Sequence, residues 1–112
     1  MVNYLRFLNT LKDFTNEANE LDLEPVSALI LDEIAVREMQ DKPMIVSDIM
    51  QLTKLGSTAT LHRKFSEMLN GAWIETRYQN GNRRTKYVHL TNKSKTYYDL
   101  KGSAMKKALI VA

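Results

Sequence analysis

The stretch GSTATLHRKFSEMLNGAWIETRYQNGNRRTKYVHLTNKS, residues 56–94, changes its apolar spacing from a helical period to a strand period near Trp73. Its first half has apolar residues at the three- and four-residue steps of an amphipathic helix: Leu61, Phe65, Met68 and Leu69. Its second half has two runs rich in aromatic and β-branched residues on either side of Asn80-Gly81, the dipeptide most typical of a tight β-hairpin. The stretch therefore predicts a helix that ends at Asn70-Gly71, followed by a hairpin.

A shorter helix is predicted just before this stretch. Ser47 is a suitable cap, and the Asp48 carboxylate favours the positive end of the helix dipole. The helix should run from Asp48 to about Thr53 and should follow a brief strand formed by the apolar residues 44–46.

The turn between the two helices contains Gly56, which can adopt the left-handed conformation that ends a helix. Ser57 or Thr58 then caps the next helix by accepting a free backbone N–H. Two helices joined by a tight glycine-containing turn form a helix-turn-helix.

The sequence indicates three further helices around this motif. Residues 4–21 carry a heptad-like apolar seam, comprising Tyr4, Phe7, Leu11, Phe14, Ala18 and Leu21. Pro25 suits the first position of a second helix, which the polar run at 40–43 ends. Its apolar stripe comprises Val26, Leu29, Ile30, Ile34 and Met39. Thr91 caps a last helix, on which one broad face carries Tyr97, Leu100, Ala104, Ala108 and Val111.

These elements predict a mainly α fold with a small β-hairpin, which is an α+β class. Their order is that of a winged helix-turn-helix with flanking N- and C-terminal helices. A length of 112 residues suits one domain covering 1–112. Within it we expect an N-terminal helix at 1–22, the winged helix-turn-helix core at 25–91, and a C-terminal helix at 92–112.

Composition narrows the functional classes. Hydrophobic residues make up 44% and charged residues 26%, which is ordinary for a folded globular chain. With no cysteine, a thiol nucleophile or a thiolate metal site is excluded. No run of apolar residues is long enough to span a membrane, and the N-terminal segment carries charges too early for a secretion signal, so a cytoplasmic location is expected.

Charge is distributed unevenly along the chain, although the net charge is only +3. Residues 1–50 contain four Lys or Arg against ten acids, whereas residues 57–95 contain eight against two. Such asymmetry favours a polyanionic partner for the second half, and the alternative is a basic face that contacts only water.

The motifs at the two ends of the hairpin resemble those of MarR-type (multiple antibiotic resistance regulator) transcription factors. In that family a Ser/Thr-rich helix start leads to a "GWIE"-like strand, a basic wing tip and an "LT-x-K-G" start of the next helix. The corresponding segments here are Ala72-Trp73-Ile74-Glu75 and Leu90-Thr91-Asn92-Lys93-Ser94, with Ala72 and Ser94 at positions where the family usually has glycine. The resemblance covers residues 25–95 and implies a homodimeric DNA-binding transcription regulator, with a repressor as the first expectation.

The residues expected to contact double-stranded DNA lie on the recognition helix at about 57–70 and on the basic wing at 77–86. On the helix, Arg63 is suited to guanine, while the small and hydroxyl side chains are suited to bases, thymine methyl groups or phosphates. The helix residues are Ser57, Thr58, Ala59, Thr60, Arg63 and Ser66. The wing residues, expected on the backbone and minor groove, are Arg77, Asn82, Arg83, Arg84 and Lys86.

A two-residue Asn-Gly loop would pair Gln79 with Asn82, Arg77 with Arg84 and Glu75 with Lys86. Like charges directly opposite each other are unfavourable, so this pairing predicts an Arg77–Arg84 conflict with no local counter-charge, which a DNA backbone would relieve. The alternative is a four-residue loop, which would shift the pairing and remove the conflict but keep the cationic tip.

A symmetric homodimer is expected because the N-terminal seam and the apolar C-terminal end exceed what a small winged core can cover. The predicted interface residues are Tyr4, Phe7, Leu11, Phe14 and Leu109.

No enzyme, metal site or cofactor is predicted. His62 and His89 have no acidic or cysteine neighbours at ligand spacing, and neither a nucleophile constellation nor a glycine-rich phosphate loop is present. Nothing in the sequence supports a small-molecule effector. The main alternative function is a winged-helix protein-interaction or assembly module without specific DNA readout; RNA binding is disfavoured because an A-form major groove does not admit a reading helix.

Overall fold

The computed structural model describes residues 1–17, 23–79 and 81–111, and the side chains of residues 11, 13–17 and 108–111 fall outside that description. The elements in chain order are α1 (Val2–Glu17), α2 (Pro25–Met39), α3 (Val46–Met50), α4 (Thr58–Asn70), β1 (Ile74–Gln79), β2 (Asn82–Leu90) and α5 (Asn92–Val111). The predicted fold class is confirmed: the protein is mainly helical, with a two-stranded antiparallel hairpin in the order of a winged helix-turn-helix.

Residue contacts divide the chain into two compact units, Leu23–Ser94 and the pair of segments Met1–Asp22 and Lys95–Ala112. The first unit contains the helix-turn-helix and the hairpin, and the second contains α1 and most of α5. The expectation of one domain over 1–112, with the subdivisions given above, stays a prediction.

The core of the unit Leu23–Ser94 is formed by side chains from every element of that unit. Its buried apolar residues are Ile30, Leu31, Ile34, Met44, Ile49, Leu61, Phe65, Met68, Trp73, Ile74, Val88 and Leu90. Leu61, Phe65 and Met68 confirm the predicted buried stripe of α4, whereas Leu69 at its edge is 36% exposed.

Helix α2 begins at Pro25 as predicted, but its buried stripe is rotated from the predicted one. Leu29 and Met39 were expected inside and are 50% and 89% exposed, while Leu31 is fully buried. Apolar residues occur on most sides of this helix, so spacing alone does not fix which side packs. The buried side includes Ser27, a polar residue that interrupts the apolar pattern.

The start of α3 differs from the prediction in two respects. Instead of a strand at 44–46, Ile45 forms an isolated antiparallel bridge with Tyr87. The helix begins at Val46 with Ile45 as its cap residue, and the Asp48 carboxylate accepts the Ile45 N–H at 3.0 Å. Ser47 is therefore not the cap, because Asp48 satisfies the free donor from inside the first turn. The helix also ends at Met50 rather than near Thr53.

The unit of α1 and α5 contains the residues predicted for dimerisation. Tyr4 is 62% exposed, Phe7 is half-buried, and their rings lie 6.4 Å apart. The side chains of Leu11, Phe14 and Leu109 lie outside the described residues, as do Ala18 and Leu21 at the end of the predicted first helix.

On α5, the predicted apolar face is present as far as the side chains are described. Tyr97 and Leu100 are half-buried and Ala104 is buried. The Tyr97 and Tyr98 rings meet edge to face at 5.4 Å, and the Lys101 ammonium lies 4.5 Å from the Tyr97 ring centre. Over the described ranges of the chain, no helix is both long and apolar enough to cross a membrane.

Candidate nucleic-acid interface

The first turn of α4 is capped by a side chain, as predicted. The Ser57 hydroxyl oxygen accepts the Thr60 N–H at 3.2 Å and donates to the Thr60 hydroxyl at 3.0 Å. Two hydroxyl groups are thus held together at the exposed start of the helix, where backbone N–H groups and the helix dipole favour an anion.

The face of α4 opposite the core carries the predicted reading residues. Thr58, Ala59, Arg63 and Ser66 are exposed, and Thr60 is half-buried beside Ser57. The side chains of Ala59, Thr60 and Ser66 near Arg63 are small, which suits insertion into a B-DNA major groove. Glu67, one turn after Arg63, is exposed on the same face and pairs with Lys64.

Lys64 is withdrawn from this face by ion pairing. Its ammonium lies 3.0 Å from the Glu24 carboxylate and 3.7 Å from that of Glu67. The hydrogen bond from Lys64, helped by the N–H groups of Val26 and Ser27, lowers the pKa of Glu24 from 4.5 to about 2. Lys64 therefore joins α4 to the cap of α2 and adds little positive charge to the exposed face.

The register of the hairpin differs from the predicted one. Gln79 pairs with Asn82 as expected, but the next pair is Tyr78 with Lys86, and Arg77 lies opposite Tyr87. Residues 83–85 of β2 therefore have no partner and form a β-bulge, and the predicted pairing of Arg77 with Arg84 is wrong.

Arg77 also has a counter-charge nearby, contrary to the prediction. Its Nε donates to the Glu75 carboxylate at 2.9 Å, and a second guanidinium nitrogen contacts the same oxygen. Residues two apart on a strand share a face, so this pairing was available from the sequence. The Arg77 charge is partly neutralised within the wing.

The tip of the wing keeps its other cations exposed. The Asn82 side-chain oxygen accepts the Arg84 N–H at 3.0 Å, which fixes the backbone on one side of the bulge. Lys86 lies with its ammonium 5.5 Å from the centre of the Tyr78 ring. Within the described part of the chain, Arg63, Arg83 and Arg84 form no ion pair.

The two positions where the family usually has glycine have different structural roles. Ala72 has a φ of 60°, in the left-handed region that glycine adopts without strain. Ser94 is fully buried, and its hydroxyl accepts the Thr91 N–H at 2.9 Å while the Thr91 hydroxyl accepts the Ser94 N–H at 3.3 Å. This reciprocal pair caps α5, and thus the serine has a use that glycine could not supply.

The turn after α4 is held by Thr91, the residue before α5, and by Lys93 in the first turn of α5. The Lys93 ammonium donates to the Gly71 carbonyl at 2.8 Å and lies 4.4 Å from the centre of the Trp73 ring. The Thr91 hydroxyl donates to the Ala72 carbonyl at 2.6 Å. These contacts satisfy carbonyls beyond the C-terminal end of α4, and sequence reasoning missed them because the partners are about twenty residues apart.

Neither histidine lies in a metal-ligand cluster. His62 is exposed on α4, and His89 Nδ1 lies 2.7 Å from a carboxylate oxygen of Glu38 on α2. This acidic partner was not apparent from the sequence, since Glu38 is far from His89 along the chain. Across the residues that the structure describes, no group of three or more His, Asp or Glu side chains could hold a metal ion.

Comparison with known proteins gives matches in structure only. No protein-family model and no curated protein match the sequence. The heme sensor protein PefR from Streptococcus agalactiae, solved in complex with heme, is similar with a TM-score of 0.61 and 19% identity, covering 95% of this chain and 69% of that one. The disulfide-formed structure of AbfR is similar with a TM-score of 0.56 and 14% identity, covering 91% of this chain. The chain spans 64% of the AbfR chain. Both are MarR-family regulators, so this protein has the winged helix-turn-helix fold of MarR-type regulators.

Proposed function

We propose that the protein is a sequence-specific double-stranded DNA-binding transcription regulator that acts as a homodimer. Helix α4 enters the major groove, and the basic wing lies along the backbone and minor groove. The observation that carries this proposal is the exposure of Arg63, Arg83 and Arg84 without ion-pair partners in the described chain, on the helix and hairpin of one winged unit. The fold shared with MarR-type regulators supports the same assignment.

The observed register of the hairpin removes one of the reasons for expecting the wing to bind DNA. A DNA backbone is not needed to relieve repulsion between Arg77 and Arg84, because these two residues do not pair. Exposed arginines are ordinary on a protein surface, so the support comes from their position beside a helix with a small, polar outer face. DNA phosphates remain the partner that fits unpaired guanidinium groups with little acid nearby.

Selection of bound sequences from a random duplex pool tests the function directly. We expect enrichment of an inverted repeat with half-sites about one helical turn apart, as a symmetric dimer requires. Arg63→Ala should weaken binding to the selected site by about 1 to 3 kcal/mol and leave binding to random duplex nearly unchanged. Equal losses on both duplexes would show that Arg63 does not read a base.

A salt series tests the wing. Replacing Arg83 and Arg84 together with glutamine should reduce the slope of log K against log salt by up to about two, since each lost phosphate contact contributes roughly 0.9. Lys54→Gln is the matched control, because Lys54 is an exposed cation in the turn after α3. If the double variant and the control have the slope of the wild type, the wing does not contact DNA and the protein-interaction alternative is preferred.

The dimer is tested by sedimentation at micromolar concentration. The exposure of Tyr4 and Leu5 on α1, at 62% and 52%, supports a second copy covering this helix. Tyr4→Asp should shift the protein toward monomer, while Asn3→Asp on the neighbouring exposed position should not. A wild-type monomer under these conditions would contradict the homodimer.

A further inference from the structure

Glu67 on α4 has two neighbouring cations that compete for its carboxylate. Side chains three and four positions apart are neighbours on a helix surface, so Glu67 can reach both Lys64 and Arg63. The Glu67 carboxylate lies 3.7 Å from the Lys64 ammonium, whereas Arg63 forms no ion pair with any residue that the structure describes. The acid one turn after the candidate base-reading arginine is therefore paired with a different cation.

Lys64 is held in place by a second carboxylate, that of Glu24 at the cap of α2. Its ammonium lies 3.0 Å from this carboxylate, and only 14% of the Lys64 side chain is exposed. Glu24 is itself fixed, because its carboxylate accepts the N–H groups of Val26 and Ser27 at 3.3 Å and the Ser27 hydroxyl at 3.2 Å. The position of the Lys64 ammonium is thus set by the start of another helix of the winged unit.

This anchoring of Lys64 gives a physical reason for the choice that Glu67 makes. A long charged side chain loses conformational freedom when it forms an exposed ion pair, and the loss offsets much of the electrostatic attraction. Lys64 is already ordered by Glu24, so a further contact with Glu67 adds attraction with little additional ordering. Arg63 is exposed and would lose its freedom in full on pairing with Glu67.

We propose that Lys64 is a positioning residue that holds the Glu67 carboxylate away from Arg63 and so leaves Arg63 available to DNA. The proposal rests on the proposed function and extends it, because Lys64 affects base reading without touching the duplex. An Arg63–Glu67 pair would occupy guanidinium donors that a guanine base would otherwise use. Breaking an exposed pair of this kind corresponds to about a two- to fivefold loss of affinity.

Binding to the duplex selected from the random pool, compared with binding to random duplex, tests the proposal. Lys64→Met keeps the volume of the mostly buried stem and should weaken binding to the selected duplex by about two- to fivefold, with little change for random duplex. Lys64→Gln is the second variant if Lys64→Met does not fold, and the same result is expected. Lys64→Arg keeps the charge beside both carboxylates and should bind as the wild type does. Lys54→Met is the matched control, because it removes an exposed lysine from the turn before α4 and should leave the preference for the selected duplex unchanged.

Removing the charge of Glu67 separates this positioning role from a general structural one. Glu67→Gln added to Lys64→Met should restore binding to the selected duplex to within about twofold of the wild type, and it would not repair a structural defect. In the wild type Glu67→Gln should have a smaller effect, because the carboxylate is already paired with Lys64. Equal effects of Glu67→Gln in the two backgrounds, or wild-type preference in Lys64→Met, would overturn the proposal.

The Nε–H resonance of Arg63 in the free protein tests the pairing without DNA. A carboxylate that accepts from a guanidinium group forms a short, charge-assisted hydrogen bond. We expect the resonance to shift in Lys64→Met and to return when Glu67→Gln is added. An unshifted resonance in Lys64→Met overturns the inference, even where wild-type binding to a selected duplex supports the proposed function. A wild type with no preference for any duplex rejects the proposed function, and the Arg63 resonance still decides whether Lys64 controls the pairing.

Discussion

Replacing Ala72 with glycine should stabilise the protein, and the magnitude can be estimated from its backbone conformation. Ala72 has a φ of 60°, where a residue with a Cβ atom loses about 1 to 2 kcal/mol relative to right-handed geometry. Glycine removes most of this cost but adds about 0.5 to 1 kcal/mol of conformational entropy to the unfolded chain. The side chain of Ala72 is exposed, so little burial is lost, and the Thr91 hydrogen bond is to its backbone carbonyl.

The net expectation for Ala72→Gly is a gain of about 0.5 to 1 kcal/mol in the free energy of unfolding. In urea titrations followed by circular dichroism, the midpoint should rise with no change in m value. The melting temperature should rise by about 2 to 8 °C.

The control is Ala35→Gly, which makes the same chemical change inside α2. It should lower the free energy of unfolding by about 1 kcal/mol, because glycine is a poor residue in a helix interior. The reasoning is refuted if Ala72→Gly lowers the midpoint, or if the two variants change it in the same direction.

Three further predictions concern contacts outside this turn. The pKa of Glu24 is lowered to about 2 by Lys64, so its stabilising effect is complete above pH 4.5 and is lost as pH falls from 4.5 toward 2; Glu24→Gln should flatten this part of a stability–pH curve. Arg84→Thr should change the free energy of unfolding by less than about 0.5 kcal/mol, because the bulge leaves Arg84 without a cation opposite it, and a larger change in urea titration would indicate an unrecognised contact. Lys93→Met should lower the free energy of unfolding by about 1 to 3 kcal/mol in the same assay, since it removes a charged hydrogen bond to the Gly71 carbonyl. Lys95→Met, at an exposed position, should lower it far less.

The register of the hairpin shows what sequence reasoning captured and what it missed. The pair next to the turn was predicted correctly, since Gln79 lies opposite Asn82. A regular two-residue loop would place Ile74 opposite Tyr87, but burial of Ile74, Val88 and Leu90 on one face requires Ile74 opposite an inward-facing residue of β2, and that residue is Leu90. The loop and the core demand registers that differ by three residues, and the bulge absorbs the difference. Aligning the inward-facing residues of β1 and β2 before choosing the loop would have predicted an odd number of extra residues in β2.

The helices show when apolar spacing predicts the buried side of a helix and when it does not. In α4 the apolar residues occupy one stripe, so Leu61, Phe65 and Met68 were correctly placed in the core from spacing alone. In α2 apolar residues surround most of the helix, and the choice of Leu31 over Leu29 depends on packing partners that a single sequence does not reveal. The pairing of Lys64 with Glu24 was missed for the same reason, because it joins α4 to the cap residue of α2, which is far away along the chain.

Because of the bulge, the number of residues in the wing tip does not determine how the two strands pair near the core. Residues 83–85 are inserted between two pairs, Gln79 with Asn82 and Tyr78 with Lys86. Removing these three residues together would join the same pairs in a continuous ladder and leave Ile74 opposite Leu90. Natural variation or protein engineering can therefore exchange this tripeptide as a cassette, altering the charge and reach of the wing while the hydrophobic core keeps its alignment.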